Sequence, residues 1–457
     1  MKRLIAIALV FLFGIISNAQ SIYKFPESIR PLIDTQWGQD YPFNLFCPAT
    51  GNGNTSGRQL AGCGAIAMAQ IIRYHEYPPI SPDKRYEYEW NMMFNKASNA
   101  KNDDHREVVA KLISDCGISA FTDYGDKASS TSLINIMTAM KRVFGYSKYM
   151  AYYSREQFST PMLDSIYRQL IFNELKAGRP VIYRGYSDKK QTGHLFIIDG
   201  CSGSKVHVNL GWAGKDNGYY ELDDLASYYQ KQSMLIAITD SGYRPSVRTV
   251  TLNGANTLHE LISEHDFLRT QHLHLAGEMG EADFQFLRRM LNEGILCSID
   301  MSECNITRLS KSAFERCNNL TYIVLPHSLK YIDEAAFRGC QHLCFVDFNE
   351  NLLSIDRDAF NRCTSLISLS LPPSLVQIYN NAFTSCTTLF HVVLPDGVKG
   401  VGIQSFANCT NLRSISFPSS VHAIGAGVLD GCQRLRRVSI DENNPYFQSV
   451  GTRIEFK

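Results

Sequence analysis

The 457-residue chain has no excess of charge of either sign: 45 Lys and Arg stand against 44 Asp and Glu, leaving +1. That disfavours a nucleic-acid groove or a polybasic membrane surface, since each needs a concentrated cationic field. Long apolar runs are scarce too. The longest, Leu4 to Ile16, has about 13 residues against the roughly 20 that span a bilayer, so no transmembrane segment is expected. No Cys-x-x-Cys pair occurs among the thirteen cysteines, which removes the usual signature of a zinc site. At 44% hydrophobic and 19% charged residues, the chain is neither disordered nor collagenous, and it is long enough for two or three globular domains.

What is present begins with a short cationic start, Lys2 and Arg3, then the apolar run, then small residues at Ser17 and Ala19. This reads as a secretory signal over residues 1–19, cut before Gln20. No Cys follows the cut, so a lipid anchor is not expected, and the protein is secreted or held at the cell surface. Removing the leader leaves 43 basic residues against 44 acidic ones.

Six of the cysteines are periodic. Cys317, Cys340, Cys363, Cys386, Cys409 and Cys432 recur at one fixed interval. Phe314, Phe337, Phe360, Phe383 and Phe406 keep the same interval, with Leu429 in the sixth place, and so does the column from Leu320 to Leu435. One such unit cannot bury its own Phe, Cys and Leu, so neighbouring units must stack these columns into a solenoid core. Equivalent cysteines then point the same way from adjacent rungs, whereas a disulfide needs facing Cβ vectors, so buried free thiols are expected. Cys340, His342 and Cys344 are close in sequence, but Cys340 belongs to the ladder and no metal is expected.

The pattern AFxxCxxLxxxxLP resembles the BspA-like class of leucine-rich repeats. The resemblance covers about 250–457, with GEADFQFLRRML similar to the N-terminal cap of such arrays. It implies a curved ladder of short parallel strands and a role in binding a protein or a surface. Residues 20–240 have a different, Tyr-rich and non-periodic texture. The boundary near 241–249, in DSGYRPS, is short enough for a tight junction.

In the first part, LAGCGAIAMAQIIRYHEYP puts Cys63 between Gly62 and Gly64 at the start of an apolar helical run. The helix dipole and free N–H groups there favour a thiolate, and the glycines would let a substrate backbone approach. On spacing alone a buried packing cysteine is the commoner outcome. A nucleophile needs a base. His194, at the mouth of the strand in GHLFIIDG, is the best placed candidate, with His75 and His207 as competitors.

The order WGQDYPFN, GCGAIAMAQIIRYHEYP, GRPVIY, GHLFIIDG, VNLGWAGKDNGYYEL resembles the streptopain family of papain-like cysteine peptidases over about 30–240. The resemblance implies an α+β papain-like catalytic domain ahead of the solenoid, acting on protein or peptide substrates without a cofactor. Carried over by position, Cys63 is implied as nucleophile and His194 as its imidazole. Gln39 and the Cys63 backbone N–H are implied as oxyanion donors, and Trp212 as the ring that shields the pair.

Two departures matter. The family's NWGWGG reads NLGWAG here, so Leu210 stands where a tryptophan orients the histidine, and Asn209 should face the other way by strand alternation. Positioning of His194 is then expected to rest on Trp212 packing alone. Only about ten residues separate Gln20 from the matching region, too few for a folded propeptide, so an enzyme exported active is expected. A binding protein with a decayed peptidase domain, and an acyl-transferring enzyme of transglutaminase type, are the rival readings. Cys47, Cys116 and Cys201 are expected to be packing residues, although a single disulfide among them is the alternative.

Overall fold

The computed structural model describes residues 23–50 and 57–457, and the leader expected over residues 1–19 lies outside them. The first helix, α1 (Cys63–His75), is buried nearly all round, as its run of Ala, Ile and Met dictates, and it ends where Glu76 turns left-handed. Helices α2 (Asp103–Ser119) and α3 (Leu133–Arg142) pack beside it, capped by the side chains of Asn102 and Ser132. Thr160 caps α4 (Pro161–Lys176) in the same way.

The strands that follow, β1 (Ala151–Ser154), β2 (Val181–Ser187), β3 (Thr192–Ser202), β4 (Lys205–Asn209), β5 (Gly218–Glu221) and β6 (Gln230–Ile236), form one antiparallel sheet ordered β1-β6-β2-β3-β4-β5. Their alternation divides the core. Ile182, Leu195, Ile197 and Leu235 face α1, while Tyr183, Phe196, Ile198 and Met234 face α4. This is the expected α+β unit.

The second part is the expected solenoid. Two-residue strands at 308–309, 331–332, 354–355, 377–378, 400–401 and 423–424 pair in parallel, one per coil. A second parallel sheet begins earlier, with β7 (Arg248–Thr251), β8 (His272–Gly277) and β9 (Ser298–Cys304) preceding the strands at 322–324 and 345–347. The amphipathic helix α5 (Glu281–Glu293) buries Phe284, Leu287, Met290 and Leu291 in the solenoid core. It is not the end of the array, because β7 and β8 extend the sheet beyond it.

The columns stack as the period requires. Rings of Phe314, Phe337, Phe360, Phe383 and Phe406 follow one another at 5.4, 4.9, 5.3 and 5.2 Å, within 14° of parallel. Each thiol from Cys340 to Cys432 donates to the carbonyl of the Phe one coil back, at 2.9–3.3 Å. The thiols are thus placed by hydrogen bonds between coils, and all thirteen cysteines are free. Cys344 lies outside the ladder, in the core of the first unit. Among the described residues no group of three or more His, Cys, Asp or Glu could hold a metal ion, and no helix is long and apolar enough to cross a membrane.

The two parts share a packed seam. Tyr153 Oη donates to Ile295 O at 2.6 Å, and Lys148 Nζ to Tyr322 Oη at 2.6 Å. The rings of Tyr152 and His342 lie 4.1 Å apart, and Cys344 and Ile367 are buried in the core of the first unit.

Candidate active site

The start of α1 meets the start of β3. Gly62 caps the helix with φ +89°, and Gly64 lies so close to the sheet that a Cβ there would stand 2.4 Å from Thr131 Cγ2 and 3.0 Å from Leu195 Cδ1. These glycines make room for protein neighbours, not for a substrate backbone as the sequence suggested. Cys63 is thereby held half-buried in a cleft of about 600 Å³ whose lining includes Gln39, His194 and Trp212. All four residues that the resemblance implied are on this one surface.

The electrostatics of the sulfur are mixed. Burial pushes the Cys63 thiol up, while the N–H groups of Leu195, Gly64 and Cys63 itself, and the charge of Arg184, act to lower it. Burial likewise pushes His194 down to about 4, opposed by its bond to the Leu210 carbonyl and reinforced by nearby Lys190. Neither group ionises readily by itself. An ion pair between them would form both charges at once, each offsetting the other's burial.

His194 is positioned by more than packing. Its Nε2 donates to the backbone carbonyl of Leu210 at 2.8 Å, and the Leu210 N–H donates to Asn217 Oδ1 at 3.0 Å. Because Leu210 acts through its backbone, loss of a tryptophan side chain there does not remove the orienting group. The expectation that Trp212 alone holds the ring is therefore corrected. The rings of Trp212 at 4.7 Å, Tyr228 at 5.1 Å and Phe196 at 5.9 Å pack around the imidazole.

Asn209 faces away, as strand alternation required. It joins a buried hub around Gln70, whose Oε1 accepts from Thr35 Oγ1 at 3.0 Å, Asn209 Nδ2 at 3.2 Å and the Trp37 N–H at 3.3 Å. Asn209 Nδ2 also donates to Thr35 O at 2.8 Å, and Gly211 N–H donates to Asn209 Oδ1 at 3.1 Å. The hub ties together α1, the segment that ends in Gln39 and the turn that carries Trp212. The Ala61 N–H donates to Gln39 O at 2.8 Å and closes the same frame. Gln70 escaped the sequence reading, although a lone amide in an otherwise apolar helix was its signal. Tyr228 and Asn217 carried none.

The competing histidines are occupied elsewhere. His75 Nδ1 pairs with Tyr146 Oη at 3.0 Å at the far end of α1, and His207 Nδ1 with Asp199 Oδ1 at 2.6 Å. Cys47, Cys116 and Cys201 are buried and free.

Comparison with known proteins adds the following. Residues 37–220 match the Peptidase C10 family, and 307–436 match six copies of the BspA type leucine rich repeat region. Streptopain of Streptococcus pyogenes is 30% identical over 230 residues, which is 43% of this chain and 56% of that protein. The thiol protease/hemagglutinin PrtT of Porphyromonas gingivalis is 27% identical over 235 residues, covering 46% of this chain and 26% of its own. The chain thus spans about half or less of the length of these curated relatives. Among solved structures, Prevotella intermedia interpain A cysteine protease matches with a TM-score of 0.42 at 28% identity, covering 47% of this chain and 97% of that one. A leucine-rich repeat protein of T. pallidum matches with a TM-score of 0.31 at 31% identity, covering 32% of this chain and 71% of that one.

Proposed function

We propose that the protein is an exported cysteine endopeptidase whose repeats bind a substrate or a surface, because residues 37–220 match the Peptidase C10 family and residues 307–436 match the BspA type repeats. The observation that carries the reading is the Cys63 sulfur at a helix start in the cleft that His194 also lines. Export rests on the Lys2, Arg3 and Leu4 to Ile16 pattern. The division into a catalytic part over 20–240 and a repeat part over 250–457 belongs to the same proposal.

In this mechanism His194 takes the Cys63 proton and the thiolate attacks the scissile carbonyl. The oxyanion is received by the Cys63 backbone N–H and the Gln39 side chain, and one such donor typically contributes about 3 kcal/mol to the transition state. The imidazolium gives its proton to the leaving amine, which departs as the carbonyl re-forms. His194 then deprotonates water, the hydroxide attacks the thioester, and release of the acid product restores the thiol. Trp212 and Tyr228 exclude water from the imidazole, and the Leu210 carbonyl supports its charged form.

The test is casein cleavage by the full chain, Cys63→Ala and His194→Ala. The reading predicts cleavage by the parent only. A parent as silent as both variants, with a folded circular dichroism spectrum, would favour a binding protein. Amine incorporation into glutamine without cleavage would favour acyl transfer of the transglutaminase type.

A further inference from the structure

One cation in the cleft has no part in that mechanism. Arg184 lies in β2 directly across from Leu195, so strand alternation puts it on the sheet face that meets α1, the helix that carries Cys63. Its guanidinium lies over Gly193, with Nη2 and Nε 3.7 and 3.9 Å from the position a Cβ would take on that glycine. It lines the same cleft as Cys63, and its charge is felt at the sulfur. Among the described residues the guanidinium has neither an ion pair nor a hydrogen bond.

The surroundings share its sign. Lys127 lines the cleft as well, and Lys190 Nζ lies 4.6 Å from the Tyr228 ring and 5.1 Å from the Trp212 ring, at the rim beside His194. Among the described residues the lining holds one carboxylate, Asp40, on the Gln39 segment. A guanidinium is a planar fork of donors that matches a carboxylate in two parallel bonds, and a half-buried one without an acceptor is arranged to receive one. A role limited to supporting the thiolate would need only the charge, which a lysine supplies equally well.

Resting on the peptidase reading, we propose that Arg184 is a specificity-determining residue that binds a substrate carboxylate on the Gly193 side of the Cys63 sulfur, so that the enzyme selects acidic peptides. Two sources share this chemistry, an Asp or Glu side chain and the α-carboxylate of a chain end.

The experiment is a peptide series of fixed sequence in which Glu replaces Gln at each position within three residues of the cleaved bond. Every peptide is made with both a free and an amidated C-terminus. The full-length parent, Arg184→Gln and Arg184→Lys are compared by kcat/KM. The parent should favour Glu over Gln by about tenfold or more at one position, the order expected for a charge-assisted bond to an ionised group. That ratio should fall below about twofold in Arg184→Gln and be intermediate in Arg184→Lys, which keeps the charge and loses the fork. A preference for free over amidated ends, lost in the same variant, would identify the chain end as the source of the carboxylate. Should Arg184→Gln fail to fold, the parent and Arg184→Lys decide the matter, because the parent's carboxylate preference must exist, must shrink as salt rises and must be smaller in Arg184→Lys. A parent that distinguishes neither Glu from Gln nor free from amidated ends, or a uniform loss across all peptides in Arg184→Gln, would overturn the assignment while leaving the peptidase standing. Failure of the parent to cleave any peptide or casein would instead remove the peptidase reading beneath it.

Discussion

At the scale of single residues, the proposed mechanism separates groups that would react from groups that hold them. Gln39 is expected to act only on the charge formed during attack, so Gln39→Ala should lower kcat by about a hundredfold or more with little change in KM. Equal losses in kcat and affinity would show instead that it binds the ground state. Gln70 has the other kind of role. Replacing it with Leu leaves the amide of Asn209, the Trp37 N–H and the Thr35 hydroxyl without their shared acceptor, all in buried positions. A loss of about 1–3 kcal/mol in urea unfolding is expected, together with a fall in kcat as the Gln39 and Trp212 segments loosen. The two residues of the proposed pair could be singled out because each sits in its own local pattern, Cys63 between glycines at a helix start and His194 at a strand mouth. Gln70, Asn217, Tyr228 and Arg184 gain their roles only when separate segments meet, and no local pattern encodes that meeting. Leu210 was misread for a related reason: a sequence displays side chains, while the group that holds His194 is a backbone carbonyl.

At the scale of elements, the solenoid was the most readable part of the chain, since an exact period across three apolar columns leaves one way to bury them. The hydrogen bond from each ladder thiol between Cys340 and Cys432 to the Phe carbonyl one coil back was not readable, because it depends on how far one coil advances over the next. The sheet also begins at Arg248, before the period starts, and β7 and β8 lack the Phe, Cys and Leu columns that would have announced them. Phe360 stacks on a ring to either side, at 4.9 and 5.3 Å. Phe360→Ala should therefore destabilise the array by about 3–5 kcal/mol. Because within the array each coil packs only on the coils beside it, loss of hydrogen-exchange protection in the solenoid should centre on the coils around 337–383 and fade towards α5. Uniform loss over the whole solenoid would contradict this nearest-neighbour picture.

At the scale of the molecule, the seam joins what the sequence presents as two unrelated textures. The short junction at 241–249 hinted at close packing, but the period does not say which face of the coils meets the first unit. Two histidines lie there, His272 buried against Tyr149 and His342 half-buried against Tyr152, and desolvation pushes each down to about 4. Lys141, itself buried at the seam, adds to the effect at His342. In the unfolded chain both titrate near the ordinary value of about 6.5. Between these values the unfolded state binds more protons than the folded one, so stability is full above about pH 6.5, falls as the pH drops towards 4, and loses nothing more from these groups below that. At about 1.4 kcal/mol per pH unit, each imidazole accounts for about 3 kcal/mol across the window. Urea midpoints at pH 7 and pH 4.5 should differ accordingly, and the difference should shrink in a His272→Gln, His342→Gln double variant. Equal midpoints at the two pH values would contradict the burial of these rings.

The peptidase reading makes one cysteine in thirteen a nucleophile, while burial pushes up the thiols from Cys317 to Cys432 and leaves them inert. The most direct measurement is to treat reduced, full-length protein with a limiting amount of an epoxysuccinyl inhibitor and map the modified residue by mass spectrometry, in the parent and in His194→Ala. The account predicts modification of Cys63 alone in the parent and its loss in the variant. Modification of Cys47 or Cys432 as fast as Cys63, or a rate at Cys63 that does not depend on His194, would contradict it.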